Sequence, residues 1–169
     1  LRAALNLIKT GERGQGGSTI TMQLARNFYL STEKTYIRKI SEIFLAIKIE
    51  HELSKQKILE LYLNKIYLGN RAYGVAAASY VYYGKSLDEL DLAQVAMIAG
   101  LPKAPSRYNP IIKPERALSR RDYVLGRMRL LEYISDEDYV QAQIEPVTAK
   151  RHLSRVQVQA PYVNEMERV

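Results

Sequence analysis

Ser54-Lys55-Gln56-Lys57-Ile58-Leu59-Glu60-Leu61-Tyr62-Leu63-Asn64-Lys65-Ile66-Tyr67-Leu68-Gly69 is the run that decides the fold class. Ser54 can cap a helix with its hydroxyl, and Gly69 can end one, because glycine enters the left-handed conformation without steric cost. Between them Ile58, Leu59, Leu61, Tyr62, Leu63 and Ile66 surround most of a helix circumference, so the pattern predicts the most buried helix of the chain. No stretch alternates apolar and polar residues long enough to build a sheet, and the expected architecture is all-α.

Before that run, Ser31 and Thr32 offer caps for a helix to about Leu53, on which Ile37, Ile40, Phe44 and Ile47 recur at helical spacing as a core stripe. Earlier still, Gly11-Glu12-Arg13-Gly14-Gln15-Gly16-Gly17 reads as a loop, and Ser18 as the cap of a helix to about Asn27. After it come a small-residue helix from about Tyr73 to Tyr83 and a Ser86/Glu89 capping box ahead of a helix from Leu92 to Leu101. Pro102, Pro105 and Pro110 punctuate a loop, Pro114 opens a basic helix to about Tyr133, and Ser135 caps a helix that stops before Pro146. The pattern from Lys150 to Gln159 is weak and extended, and Ala160 to Val169 begins another helix.

A chain of 169 residues with 47% hydrophobic content suffices for one compact domain. The absence of cysteine excludes disulfides and thiolate metal sites. The longest nearly apolar stretches, Val75 to Tyr83 and Val95 to Leu101, fall short of the roughly 18 to 20 residues a membrane-spanning helix needs. The opening Leu1-Arg2-Ala3-Ala4-Leu5 reads as a helix already under way rather than a signal peptide. A formal charge of +7 favours an anionic partner: nucleic acid, acidic headgroups or a phosphorylated substrate. Thirteen tyrosines and no tryptophan suit either sites with one wet ring end, such as sugar clefts and membrane interfaces, or an ordinary helical core.

Two clusters can carry chemistry. Steps of four place Lys34, Arg38 and Glu42 along one helix face, with Lys39 beside them, so three cations surround one carboxylate. On spacing alone this is either a solvated ladder of pairs worth about 0.3 kcal/mol each or a cradle for phosphate or pyrophosphate whose cations keep Glu42 ionised. The second cluster is the glycine-rich loop entering Ser18-Thr19-Ile20-Thr21, with Gln23, Arg26 and Asn27 behind it. It has the exposed amides that favour anions but lacks the Gly-Lys-Ser/Thr of a nucleotide loop, and it reads equally as a linker. His51 and His152 have neither metal-ligand company nor a nucleophile partner, and both are expected at the surface with no histidine metal site.

Several pieces, in order, resemble one family. Gly16-Gly17-Ser18-Thr19-Ile20-Thr21-Met22-Gln23-Leu24-Ala25-Arg26-Asn27, Arg38-Lys39-Ile40-Ser41-Glu42, Lys55 to Asn64, and Arg120-Arg121-Asp122-Tyr123-Val124-Leu125 resemble four of the five signature motifs of the peptidoglycan glycosyltransferases, glycosyltransferase family 51. Gly100 to Pro110 is similar to a further family segment. The resemblance implies a lysozyme-like helical fold with a large lobe and a small membrane-facing jaw, lipid II and the growing lipid-linked glycan strand as substrates, and moenomycin as inhibitor. It implies attack by the 4-hydroxyl of lipid II on the anomeric carbon of the growing chain, releasing undecaprenyl pyrophosphate with inversion.

Carried over to this sequence, the resemblance makes Glu42 the second essential glutamate, near the pyrophosphate or a divalent cation such as magnesium or manganese. Lys34, Arg38 and Lys39 become the pyrophosphate cations, while Ser18, Gln23, Arg26 and Asn27 line the donor site with Ser106 from the proline-bounded loop. Arg26 stands where the family usually has lysine and Met22 where it has glutamine, so the charge is kept but a fork replaces a point charge. The motifs at Lys55–Asn64 and Arg120–Leu125 are expected to be structural. The family's first motif, which carries the general base, is expected ahead of Ser18 and is not in these residues, so the isolated chain is expected to be inactive.

Residues 1–150 are thus expected to form the glycosyltransferase domain. Residues 151–169, where Ala160-Pro161-Tyr162 and Asn164-Glu165-Met166 resemble the linker before the transpeptidase domain of class A penicillin-binding proteins, lead toward that domain. The implied location is the periplasmic face of the inner membrane. Two rivals explain less. A nucleic-acid module calls for basic residues along one groove-facing stripe, whereas these gather near one glutamate, and no nucleic acid is expected. A lysozyme-like lytic hydrolase has no use for a pyrophosphate cradle.

Overall fold

Chain contacts gather into two units, residues 1–75 and 76–169. The computed structural model describes residues 18–29 and 36–152. Its helices are α1 (Ile20–Tyr29), α2 (Tyr36–Glu52), α3 (Lys55–Lys65), α4 (Val75–Tyr83), α5 (Leu92–Gly100), α6 (Pro114–Leu130) and α7 (Asp136–Ile144), with single 3-10 turns at Leu87–Glu89 and Leu101–Lys103. The only pairing outside helices among the described residues is an isolated antiparallel bridge between Tyr67 and Tyr73, so the all-α expectation holds. The Gly11–Gly17 loop, the Ser31 and Thr32 caps, Lys34 and residues 153–169 lie outside the described residues.

In the first unit α1 packs against α2 and α3. Ser54 caps α3, its Oγ accepting from the Lys57 amide at 3.2 Å. The helix then stops at Lys65, because Ile66 takes an extended conformation. Gly69 serves instead in the turn beyond, where Gly69, Asn70 and Arg71 all have positive φ and the Leu68 amide reaches the Ala72 carbonyl at 2.9 Å. Only Ile58 and Tyr62 of α3 are buried, and Leu59 is exposed. The most buried helix is therefore not α3 but α5, which hides Ala93, Gln94, Ala96, Met97, Ile98 and Gly100.

The core stripe expected on α2 is also overturned: Ile37, Ile40, Phe44 and Ile47 are 55–77% exposed. The helix is rotated about its axis so that Glu42 and Ala46 are buried, while Lys39 and Glu50 on the same face bond to Ser18 and Thr21 at α1. Those polar contacts set the rotation, and the four apolar residues lie on another face.

Gly74 holds the end of α3 against the following turn. Its φ is +88° and an added Cβ would sit 2.5 Å from the Asn64 carbonyl oxygen. Gly74→Ala is expected to cost about 2 kcal/mol, combining left-handed strain with a backbone clash; a urea titration with an unchanged midpoint would contradict this placement.

In the second unit Ala93, Ala96, Leu125 and Ala142 form a core from α5, α6 and α7, with Leu92, Val124, Ile134 and Tyr139 packed on it. Asp91 caps α5, accepting from the Gln94 amide at 2.8 Å, while the Ser86/Glu89 box closes its own 3-10 turn instead. Pro114 starts α6 and Ser135 caps α7, both as expected. Arg121 of α6 is 1% exposed. Its guanidinium donates to the carbonyls of Glu145 at 2.6 Å and Gln143 at 2.8 Å, tying down the end of α7. The chain then returns along α4, with the Lys150 and His152 amides donating to the Tyr82 and Val81 carbonyls. His51 is exposed as expected, but His152 is not a surface residue: its ring packs against Gly84 and its Nδ1 is buried.

Candidate anion site

The first unit builds a cationic site where the start of α1 meets α2. Thr19, not Ser18, caps α1: its Oγ1 accepts from the Met22 amide at 3.2 Å, and its carbonyl from the Gln23 amide. Ser18 therefore stands just outside the helix, and its Oγ accepts from Lys39 Nζ at 2.7 Å. The same ammonium donates to Glu42 Oε2 at 2.8 Å, and Arg38 Nη1 donates to Glu42 Oε1. The Glu42 side chain is 3% exposed, that of Arg38 16% and that of Lys39 41%, so a buried carboxylate floors the site and the lysine opens it to solvent.

The geometry speaks against one of the two readings left open by spacing, the solvated ladder. A solvated ladder leaves its carboxylate wet, whereas this one is buried and doubly clamped by charge-assisted bonds. Partial burial lowers the Lys39 pKa, and the nearby charges of Arg26 and Arg38 lower it further. Arg26 is thus brought from α1 to the cations of α2. Gln23 and Asn27 lie three residues before and one after it on the outward face of α1. Ser106 is exposed on a turn of the second unit. Both oxygens of Glu42 are engaged, by Arg38 and by Lys39, and no group of three acidic or histidine residues converges among the described residues.

Between the start of α1 and α2, an open apolar groove of about 280 Å³ is lined by Thr19, Met22, Ile43, Ala46, Ile47 and Glu50. Glu50, which the sequence patterns did not single out, joins three helices. Thr21 Oγ1 donates to its Oε1 at 2.6 Å and Lys55 Nζ to its Oε2 at 2.6 Å. The Lys55 bond first, and the Thr21 bond second, hold the Glu50 carboxyl below its ordinary 4.5. A carboxyl depressed by folding stabilises the fold above its unfolded value, and that contribution is lost as pH falls through the folded value. The α1–α2–α3 packing is expected to weaken on acidification below about pH 4.5, and Glu50→Gln to flatten that part of the profile. Circular dichroism melts across that range read it, and an unchanged profile in the variant would place the acid sensitivity elsewhere.

These residues can hold a phosphate-type anion and stabilise one as it departs, since their donors are fixed before the charge arrives. They supply charge rather than a base: both oxygens of Glu42 are engaged.

The family model described as transglycosylase matches residues 1–129. The chain is 54% identical over 168 residues to penicillin-binding protein 1A of Pseudomonas aeruginosa, covering 99% of this chain and 20% of that protein. It is 56% identical over 167 residues to penicillin-binding protein 1A of Vibrio cholerae, again covering 99% of this chain and 20% of the relative. The crystal structure of penicillin-binding protein 1A from Haemophilus influenzae superposes with a TM-score of 0.57 at 44% identity, over 88% of this chain and 18% of that one. The chain spans about a fifth of the length of the curated relatives it matches.

Proposed function

Because the chain belongs to the transglycosylase family, we propose that the protein carrying it is a peptidoglycan glycosyltransferase that polymerises lipid II into glycan strands, and that the Arg38–Lys39–Glu42 group binds the pyrophosphate of the lipid-linked donor. The observation that carries this reading is the buried Glu42, which clamps Arg38 and Lys39 while Lys39 reaches Ser18. In the reaction the acceptor 4-hydroxyl gives its proton to the general base of the family's first motif as its oxygen bonds to the anomeric carbon, and the bond to the pyrophosphate oxygen breaks. Arg26, Arg38 and Lys39 meet the negative charge that develops on that oxygen. Glu42 acts through the cations it positions rather than on the sugar.

The exposed stripe of Ile37, Ile40, Phe44 and Ile47, with Tyr36 at its start, supports a second part of the reading. An apolar face of this size on the unit that carries the anion site suits contact with the surface of the membrane in which the lipid substrate sits, at the periplasmic side. No helix among the described residues is long and apolar enough to cross a membrane.

Full-length protein given lipid II should yield polymeric glycan and undecaprenyl pyrophosphate; release of soluble muropeptides from finished peptidoglycan, without polymer, would favour the hydrolase instead. A pH dependence follows from Lys39. Its lowered pKa means that it loses its proton at a pH below the ordinary 10.5, so affinity for an anionic ligand such as moenomycin should fall as pH is raised toward that value. Lys39→Arg should hold the affinity level over the same range, because arginine keeps its charge.

A further inference from the structure

The basic helix α6 carries a second cationic surface, wholly within residues 76–169, that the glycosyl-transfer reading does not use. Arg116, Arg120, Tyr123 and Arg127 recur at helical spacing on the side opposite the buried Leu125, a track of about 16 Å at 1.5 Å per residue. At its N-terminal end the surface is concave. One hollow of about 450 Å³ lies over Ile112, Lys113, Pro114, Glu115 and Arg116, and a second of about 270 Å³ over Arg107, Tyr108, Glu115, Arg116 and Ser119. Two of the guanidinium groups are steadied by rings: Arg120 stands 4.6 Å from the Tyr123 centroid and Arg107 5.8 Å from that of Tyr108. Ile112 is 68% exposed at the edge.

We propose that this groove docks an acidic peptide segment of a partner protein, its carboxylates on Arg107, Arg116 and the arginines along α6, and an aliphatic side chain on Ile112. Three features select that occupant. The arginines far outnumber the single carboxylate, Glu115, so the complement is anionic. Arg107 is ordered in advance by the Tyr108 ring, and Arg120 by the Tyr123 ring and by its Nε bond to the Gly100 carbonyl at 3.3 Å, which leaves its terminal nitrogens for carboxylate contacts. The hollows match protruding side chains, whereas a bilayer presents a flat surface and needs no such ordering.

The test is fluorescence anisotropy with a labelled oligoglutamate peptide carrying interspersed leucines, against its glutamine counterpart, using the 169-residue chain. Wild type should bind the glutamate peptide and not the glutamine one, with affinity falling steeply as salt is raised. Lys113→Gln with Arg116→Gln should weaken binding about tenfold, near the upper range for two exposed charge pairs. Both side chains are exposed, so the fold should hold, and Lys39→Met should bind the peptide as wild type does. Equal binding of both peptides, an undiminished K113Q/R116Q variant, loss of binding in the Lys39 variant, or displacement of the peptide by phosphatidylglycerol vesicles would each overturn the proposal. Oligoglutamate is no glycosyl donor, so this result and the fate of the transferase reading are independent.

Discussion

Glu42→Ala is expected to destabilise the first unit by about 3 kcal/mol, because removing one partner of a buried ion pair is strongly destabilising. Here the loss is doubled in kind. Arg38 is nearly buried, and Lys39 is already partly desolvated with Arg26 close by, so alanine removes the carboxylate to which both Arg38 and Lys39 bond. Glu42→Gln keeps the shape and one acceptor but not the charge, and should fall between alanine and wild type. Hydrogen exchange of the α1 and α2 amides reads the effect locally. A loss below about 0.5 kcal/mol would return the group to the value of a solvated helix ladder.

Arg121→Met is expected to have an effect of similar size in the second unit, about 3 kcal/mol, because the buried Arg121 guanidinium no longer holds the carbonyls of Gln143 and Glu145 with charge-assisted bonds. Methionine fills much of the volume, so the loss reports the polar contacts rather than a cavity. Arg121→Lys keeps the charge but lacks a fork to reach two carbonyls, and should recover less than half of the loss. Chemical denaturation of the three proteins tests this; a lysine variant as stable as wild type would show that charge alone matters at the end of α7.

These two residues also show what could be read from the sequence. Helices capped by short local signals were legible: Ser54, Pro114 and Ser135 each stand where expected, because a cap is settled by a few neighbouring atoms. The cationic ladder around Glu42 was legible as a set, since helical spacing places i and i+4 together. Its burial was not, because burial depends on which face α1 covers.

The same limit explains the exposed stripe on α2. Periodicity shows that Ile37, Ile40, Phe44 and Ile47 share a face, but not whether protein or something else covers it. In α3 the apolar residues around the circumference suggested deep burial, yet among the described helices it is α5, with its small residues Ala93, Ala96 and Gly100, that buries the most residues. Ser18 and Thr19 are adjacent and equally good caps by type; the choice fell to Thr19 because Ser18 is drawn to Lys39. Arg121 and Glu50 act across long sequence separations, which no local pattern reports.

The most direct test of the pyrophosphate site is the affinity of moenomycin or undecaprenyl pyrophosphate for the folded chain and for Lys39→Met. That substitution removes a cation that is partly exposed and bonded to both Ser18 and Glu42. With a charge-assisted bond worth about 1.5 to 3 kcal/mol, binding should weaken by about 10- to 100-fold. Equal affinity in a variant shown to be folded would mean that Lys39 does not hold the pyrophosphate, and that the Arg38–Lys39–Glu42 group serves the packing of α1 on α2 alone.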